Sequence, residues 1–279
     1  METTLLGLEL KQWLGFSVAA AVISTFGGLA GSALKEYLLA RSFETWRQRT
    51  SIERVYQRYR DPILLSATEL CARLAEVLAD YPTVFLKASV LKSTPRTQVK
   101  NSVDDPYYKK YKLVSTIYRI CALLGWIELY RRELVFLNSG RGAHTKELER
   151  CVEAIREDFA DGSLNTHSNW HEWSDRLIFR EELRAIGEMM IASTSEPKHI
   201  IGYAQFCDLL EAPEECNLKR WAAVVSNFIL DLEGPDVDFR KERLRRLVVH
   251  LVDLLERLDE APLEERFTEL RENYHSAAM

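Results

Sequence analysis

Two histidines separated by three residues, His167 and His171, have a spacing that can bind a metal ion. Histidines at positions i and i+4 share one metal ion when both lie on the same face of a helix. Their segment reads HSNWH and lacks the glutamate of a HEXXH site. Asp161 and Gly162, followed by Asn165, place His167 in a loop or first helical turn, where that geometry is unreliable. The pattern favours a polar helix start, and we expect no metal or other cofactor.

An arginine and a histidine five positions apart, Arg245 and His250, form the second pattern with potential chemistry. In the segment RRLVVH this spacing resembles the motif of HEPN ribonucleases, which are helical and usually dimeric. The resemblance implies RNA cleavage at a composite site across a dimer, with both residues taking part. The polar residue that usually follows the motif arginine is replaced here by another arginine. On a helix the two residues lie about 140° apart, and the alternative is a structural histidine near Asp253.

Other catalytic signatures are missing from the sequence. It has no phosphate-binding loop, GxSxG elbow, dinucleotide fingerprint or cysteine–histidine nucleophile signature. The charged segments FREEL (179–183) and YRRE (130–133) are typical of ion pairs in a helical bundle. The net charge of −5 gives no electrostatic reason to expect nucleic acid as the main partner. The sequence therefore indicates a protein without evident enzymatic chemistry.

The composition is that of a globular protein, with 279 residues, 47% of them apolar and 28% charged. It excludes a wholly disordered, collagen-like or multi-span membrane protein. Five widely spaced cysteines occur without any CxxC motif: Cys71, Cys121, Cys151, Cys207 and Cys216. An odd number of cysteines within apolar helical patterns predicts reduced, mostly buried thiols in a reducing compartment.

The segment Trp13–Leu34 contains 22 residues and no charge. A helix of this length crosses the ~30 Å hydrocarbon core of a bilayer. A secretory signal would begin with a basic segment, but the first twelve residues hold Glu2, Glu9 and only Lys11. The sequence thus predicts an uncleaved single-pass anchor in the lipid bilayer. The alternative is a helix of small residues buried within a soluble protein.

Cations that follow the span predict its orientation. They are Lys35, Arg41, Arg47, Arg49, Arg54, Arg58 and Arg60, against the acids Glu36, Glu44 and Glu53. The positive-inside rule places everything after Leu34 in the cytoplasm and the N-terminus outside.

A stripe of small residues follows helical spacing within the predicted span. It consists of Ser17, Ala21, Ser24, Gly28 and Gly31, and Gly27 forms a GxxxG pattern with Gly31. Small residues let helix backbones approach closely in lipid, which promotes association. We therefore expect a homo-oligomer packed through this stripe.

The rest of the chain has helical periodicity and almost no strand signal. The fold class predicted is all-α, with an N-terminal transmembrane helix followed by a cytoplasmic helical bundle. The predicted domains are the N-terminal tail and anchor (1–34), a basic juxtamembrane helix (35–60) and the helical domain (61–279). Asp61–Pro62 is expected to break or restart the helix between the last two. Further predicted helices include Pro106 to about Asn138, Thr145 to about Asp161, and Phe239–Leu258.

Several phrases of the helical region resemble landmarks of a family of uncharacterised microbial all-helical proteins. They are YRDPILLSATELCARL (59–74), STIYRICALLGWIELYRRELVFL (115–137), LIFREELRAIGEMMI (177–191), IGYAQF (201–206) and RLRRLVVHLVDLLERLD (243–259). The resemblance covers roughly residues 54–260 and implies a helical fold, but no activity and no site residue.

The function expected is that of a membrane-anchored, self-associating scaffold or sensor with a possible cytoplasmic protein partner. Two alternatives remain open: a HEPN-like ribonuclease effector that uses Arg245 and His250, and a pore-forming membrane oligomer.

Overall fold

The computed structural model describes residues 4–5, 8–79, 85–92, 106–135, 143–160, 176–192, 198–213, 215–232, 238–259 and 263–278. The chain divides into two compact units, Met1–Ser51 and Ile52–Met279. The boundary between them falls within the first helix.

The described part of the chain is all-helical apart from a minimal hairpin of two-residue strands, β1 (Thr4–Leu5) and β2 (Leu8–Glu9), and one isolated bridge between Ile191 and Ile200. The all-α prediction is confirmed. The helices are α1 (Leu10–Leu78), α2 (Pro106–Val135), α3 (Ala143–Ala160), α4 (Arg180–Met189), α5 (Tyr203–Glu211), α6 (Asn217–Ile229), α7 (Phe239–Leu258) and α8 (Glu265–Ala278), with a 3-10 helix at Ala88–Lys92.

The break predicted at Asp61–Pro62 is wrong, because α1 continues through Pro62. Proline inside a helix removes one hydrogen bond and costs about 3 kcal/mol. Here the residues on either side of it, Tyr59 and Ile63, are both fully buried in the core. The ring of Tyr59 also packs against Trp126 of α2, with centroids 6.4 Å apart. Tertiary burial on both sides of the proline offsets its local cost.

The core of the 52–279 unit is built from helices that bury apolar faces against one another. α2 packs along α4, α3 packs along α7, and α7 packs along α8. In α3 the buried residues Leu148, Val152, Ile155 and Phe159 recur at intervals of three and four, as a helix with one buried face requires. All five cysteines are free thiols, and Cys71, Cys121 and Cys151 are buried.

A buried arginine joins the end of α6 to the start of α7. Arg240 is 1% exposed, and its Nε and Nη2 donate to the carboxylate of Asp238 at 2.9 and 2.6 Å. Its Nη1 donates to the carbonyls of Asn227 and Leu230, and Nη2 also donates to that of Asp231. The last carbonyls of a helix lack partners within the helix, so this guanidinium caps α6 while it fixes the first turn of α7.

One described helix is long and apolar enough to cross a membrane, at Pro106–Leu134 within α2. Its most apolar stretch is 83% buried inside the chain, so protein already covers these side chains. The span predicted at Trp13–Leu34 lies in α1. Apart from Val18, Ala21, Ser24 and Thr25, its side chains fall outside the described residues.

Two glycines allow α2 and α4 to approach closely. A Cβ on Gly125 of α2 would lie 2.8 Å from the Cβ of Met190. A Cβ on Gly187 of α4 would lie 2.7 Å from the carbonyl oxygen of Leu124 and 2.8 Å from the Cβ of Glu128. Because all three of these neighbours are backbone or Cβ atoms, they cannot move unless the backbone shifts.

We expect Gly187→Ala to lower the free energy of unfolding by about 1–3 kcal/mol, as overpacking does. Helix propensity alone would favour alanine by about 1 kcal/mol, so a loss of stability reports the close contact. Chemical denaturation measures the change. Gly202→Ala is the control, because a Cβ there meets nothing within 4 Å. Equal or higher stability of Gly187→Ala would contradict the packing described.

Candidate functional site

A buried carboxylate on α3 gathers two basic side chains from α7. Asp158 is 1% exposed, and its Oδ2 lies 2.7 Å from Nδ1 of His250. Nε of Arg246 lies 3.4 Å from Oδ1 of the same carboxylate. The backbone carbonyl of Asp158 accepts a hydrogen bond from Nη1 of the buried Arg243 at 2.9 Å. α3 and α7 are thus joined by a polar cluster placed among their apolar contacts.

Helix geometry explains why these residues meet. Arg246 and His250 are four residues apart on α7, so both project from the same face. Asp158 lies in the last turn of α3 next to the buried Phe159. Packing of Phe159 against Phe228 of α6, with ring centroids 5.2 Å apart, holds that turn against the neighbouring helices.

The environment raises the pKa values of both Asp158 and His250. Burial raises the pKa of Asp158, although the hydrogen bond from His250 and the charge of Arg246 oppose the shift. Burial by itself would lower the pKa of His250, but the hydrogen bond to Asp158 and the negative charges of Asp158 and Asp253 outweigh it, so that pKa is raised. The pair therefore favours an imidazolium bound to a carboxylate.

The arrangement can perform acid–base chemistry. A carboxylate that accepts from Nδ1 fixes the tautomer and orientation of an imidazole. The side chain of His250 is 20% exposed, so part of the ring reaches solvent. A histidine held in this way can give or take a proton at Nε2. The same hydrogen bond also stabilises packing of α3 on α7.

The structure does not join the two residues of the ribonuclease-like pattern. Arg245 makes an ion pair with Glu242, at 3.2 Å between Nη1 and Oε2. No hydrogen bond or ion pair links Arg245 to His250 within the described residues. Arg246 is the arginine that shares a partner with His250. Its i, i+4 spacing was visible in the sequence, whereas Asp158 lies 92 residues away and gave no local signal.

The other proposed site residues fall partly outside the described part of the chain. His167 and His171 lie outside it, and among the described residues no group of three His, Cys, Asp or Glu side chains is arranged to hold a metal ion. Ala21 and Ser24 of the small-residue stripe are exposed. The side-chain surroundings of Ser17, Gly27, Gly28 and Gly31 are not among those described.

A pocket between the N-terminal part of α2 and the length of α5 was not indicated by the sequence. It has a volume of about 240 Å³. Its lining residues are Tyr107, Lys110, Tyr111, Val114, Tyr203, Cys207, Leu210 and Glu211. Burial raises the pKa of the Cys207 thiol, although a hydrogen bond with Tyr203 opposes the shift. The thiol is therefore protonated near neutral pH and is a poor nucleophile.

Comparisons with known proteins give no relative: no family model, no curated protein and no solved structure matches this chain.

The Asp158–His250 pair predicts a pH-dependent contribution to stability. The pKa of His250 is raised in the folded protein, so its contribution is complete below the ordinary value of 6.5 and is lost as the pH rises through the folded value. We expect His250→Gln to cost roughly 1–3 kcal/mol at about pH 6 and much less at about pH 9. Denaturation at both pH values measures the difference.

The exposed His199 provides the control, since His199→Gln removes a histidine that lies outside this cluster. A cost of His250→Gln that stays constant from about pH 6 to about pH 9 would show that the imidazolium form adds nothing.

Proposed function

We propose that the chain is a membrane-anchored helical protein whose N-terminal helix holds the 52–279 unit at the cytoplasmic face, where that unit acts as a scaffold or sensor. The observation that supports this proposal is the exposure of the first half of α1. Every described side chain from Val18 to Arg49 is exposed. They include six large apolar residues: Val18, Tyr37, Leu38, Leu39, Phe43 and Trp46.

So many exposed apolar side chains in one segment require another molecule that shields them from water. Burial of one large apolar side chain contributes about 1.5–3 kcal/mol. The uncharged segment Trp13–Leu34 would be about 33 Å long as a helix, enough to cross the ~30 Å core of a bilayer. Lipid covers such a segment around its whole circumference, which suits a helix without a charged residue.

The residues after that segment have the character of a membrane interface. Tyr37, Phe43 and Trp46 are exposed aromatic side chains, and the rings of Phe43 and Trp46 lie 5.7 Å apart. Aromatic rings concentrate at the level of lipid headgroups. Arg41 and Arg47 occur among them, and each cation near an anionic leaflet contributes about 1 kcal/mol. These features support placing residues 35–49 at the cytoplasmic surface.

We expect the full-length chain to stay in the membrane pellet after a carbonate wash, and Ala21→Arg with Phe26→Arg to release it. Each arginine at the centre of a span costs roughly 2.5–3.5 kcal/mol. Leu65→Arg is the control, because it adds an arginine at an exposed leucine of the 52–279 unit. A wild-type chain in the supernatant, or a double variant that stays in the pellet, would refute anchoring.

The orientation and the assembly of the chain can be tested in the same membrane preparations. A reporter fused after Met279 should be active in the cytoplasm, because the cations after the span set the topology. Cross-linking should give oligomers that decrease in Gly28→Leu and persist in Val22→Leu, if copies pack through the small-residue stripe. Reporter activity outside the cytoplasm would refute the proposed orientation. Unchanged cross-linking in Gly28→Leu would refute packing through the small-residue stripe.

A second candidate function is supported by one distance, the 2.7 Å between His250 and Asp158. A carboxylate-oriented histidine beside arginines can abstract the proton of a ribose 2′-hydroxyl while an arginine binds the phosphate. This supports the ribonuclease alternative, with Arg246 rather than Arg245 beside the histidine.

For this second function, we expect RNA cleavage by the wild-type chain to fall about 100-fold or more in His250→Gln, the loss typical of a removed general base. Asp158→Asn should reduce it as well, because the amide no longer favours the same tautomer. Comparison of Arg245→Met with Arg246→Met identifies the arginine that takes part. His199→Gln is the control. Absence of cleavage by the wild type, or cleavage that survives His250→Gln, would exclude the activity from this site.

A further inference from the structure

Two buried arginines in the 52–279 unit differ in how their donors are satisfied. A guanidinium carries five N–H donors. Those of Arg240 all reach acceptors, at Asp238 and at carbonyls around the end of α6. Arg73 of α1 is only 3% exposed, yet its buried Nε and Nη1 have no hydrogen-bond partner within the described part of the chain. Among the described residues, Nε of Arg73 thus has no acceptor, and Nη1 has only an ion-pair contact, with Glu76.

Positive charge exceeds negative charge around Arg73. Nη1 of Arg73 and Nζ of Lys112 lie 3.4 and 2.7 Å from the same oxygen, Oε2 of Glu76. Arg119 of α2 adds a third cation, whose charge acts on both Arg73 and Glu76. Its Nη1 donates to the backbone carbonyl of Glu69. The carboxylate of Glu76 therefore interacts with three cations that come from α1 and α2.

This arrangement is costly for the protein alone. Burial lowers the pKa of Arg73, and the positive charge of Arg119 lowers it further. An arginine nevertheless remains protonated in proteins, so the charge persists without full compensation. A buried donor left without an acceptor costs about 1–3 kcal/mol, and more when it is charged. A bound anion would remove both the charge excess and the missing hydrogen bonds.

We propose that the cluster of Arg73, Lys112 and Arg119 binds a phosphate group. A phosphate carries up to two negative charges, which match the two cations that Glu76 leaves unbalanced. Its oxygens can accept from both arginines and from Lys112 at once, in charge-assisted hydrogen bonds. Glu76 is 44% exposed, whereas the side chains of Arg73 and Lys112 are 3% and 12% exposed. This site is independent of the membrane anchor and of the Asp158–His250 pair.

Thermal unfolding of the full-length chain in phosphatidylcholine vesicles tests the site with inorganic phosphate as the probe. Sodium chloride at equal ionic strength is the reference, because it screens surface charges equally. At ten times its Kd, phosphate should raise Tm by roughly 3–5 °C. Arg73→Met should weaken phosphate binding, measured by calorimetry, by about tenfold or more. Arg156→Met is the control, since Arg156 is also buried but donates to Glu153 at 2.8 Å.

A second variant keeps the test decisive if Arg73→Met does not fold. Glu76→Gln removes the one negative charge that competes with the ligand, and it should tighten phosphate binding about fivefold. Misfolding cannot produce such a gain. No response of the wild type to either inorganic phosphate or phosphatidic acid, or affinities unchanged in both variants, would overturn the proposal.

The source of the phosphate group is distinguished by lipid composition. A rise in Tm with inorganic phosphate in pure phosphatidylcholine indicates a soluble ligand. A rise only when phosphatidic acid replaces part of the lipid, and lost in Arg73→Met, indicates a lipid headgroup. Stabilisation by neither source would overturn the site.

Discussion

The buried guanidinium of Arg240 is the interaction on which the arrangement of the second half of the chain depends. Moving a charge of this size out of water costs several kcal/mol, and only complete hydrogen bonding with an opposite charge compensates it. The carboxylate of Asp238 and the carbonyls around the end of α6 supply that compensation. Their positions relative to one another are therefore tightly constrained. The first turn of α7 can begin at only one place against α6.

Once α7 begins there, its remaining contacts follow from helical periodicity. Leu244, Leu247, Val248 and Leu251 are all buried along one side of the helix. The same register brings Arg246 and His250 to the carboxylate of Asp158 on α3. The acid–base pair is thus a product of helix packing and needs no dedicated loop. It can stabilise the α3–α7 contact and carry proton chemistry with the same atoms.

Local sequence patterns predicted several helices, but they did not predict the site around Asp158. The apolar period predicted α7 as Phe239–Leu258, and in the structure its N-cap is Asp238, whose side chain accepts from the amide of Arg240. The same kind of local rule failed at Pro62, where distant residues such as Trp126 provide the compensating contacts. Asp158 and Arg73 could not be recognised, because their significance depends on partners from other helices. Spacing along the chain also pointed to Arg245 as the partner of His250, whereas in the structure Arg246 shares Asp158 with that histidine.

The close approach of α2 and α4 has a consequence for tracing the ancestry of this fold. Hydrophobic positions can drift among Leu, Ile, Val and Met without loss of packing, so overall similarity fades quickly between distant relatives. Gly187 has no such freedom, because any side chain there meets the backbone of α2. Together with a small residue at position 125, it should form a fingerprint that survives when the rest of the sequence has diverged. A related chain with bulky residues at both positions would need a wider helix crossing and would represent a different packing lineage.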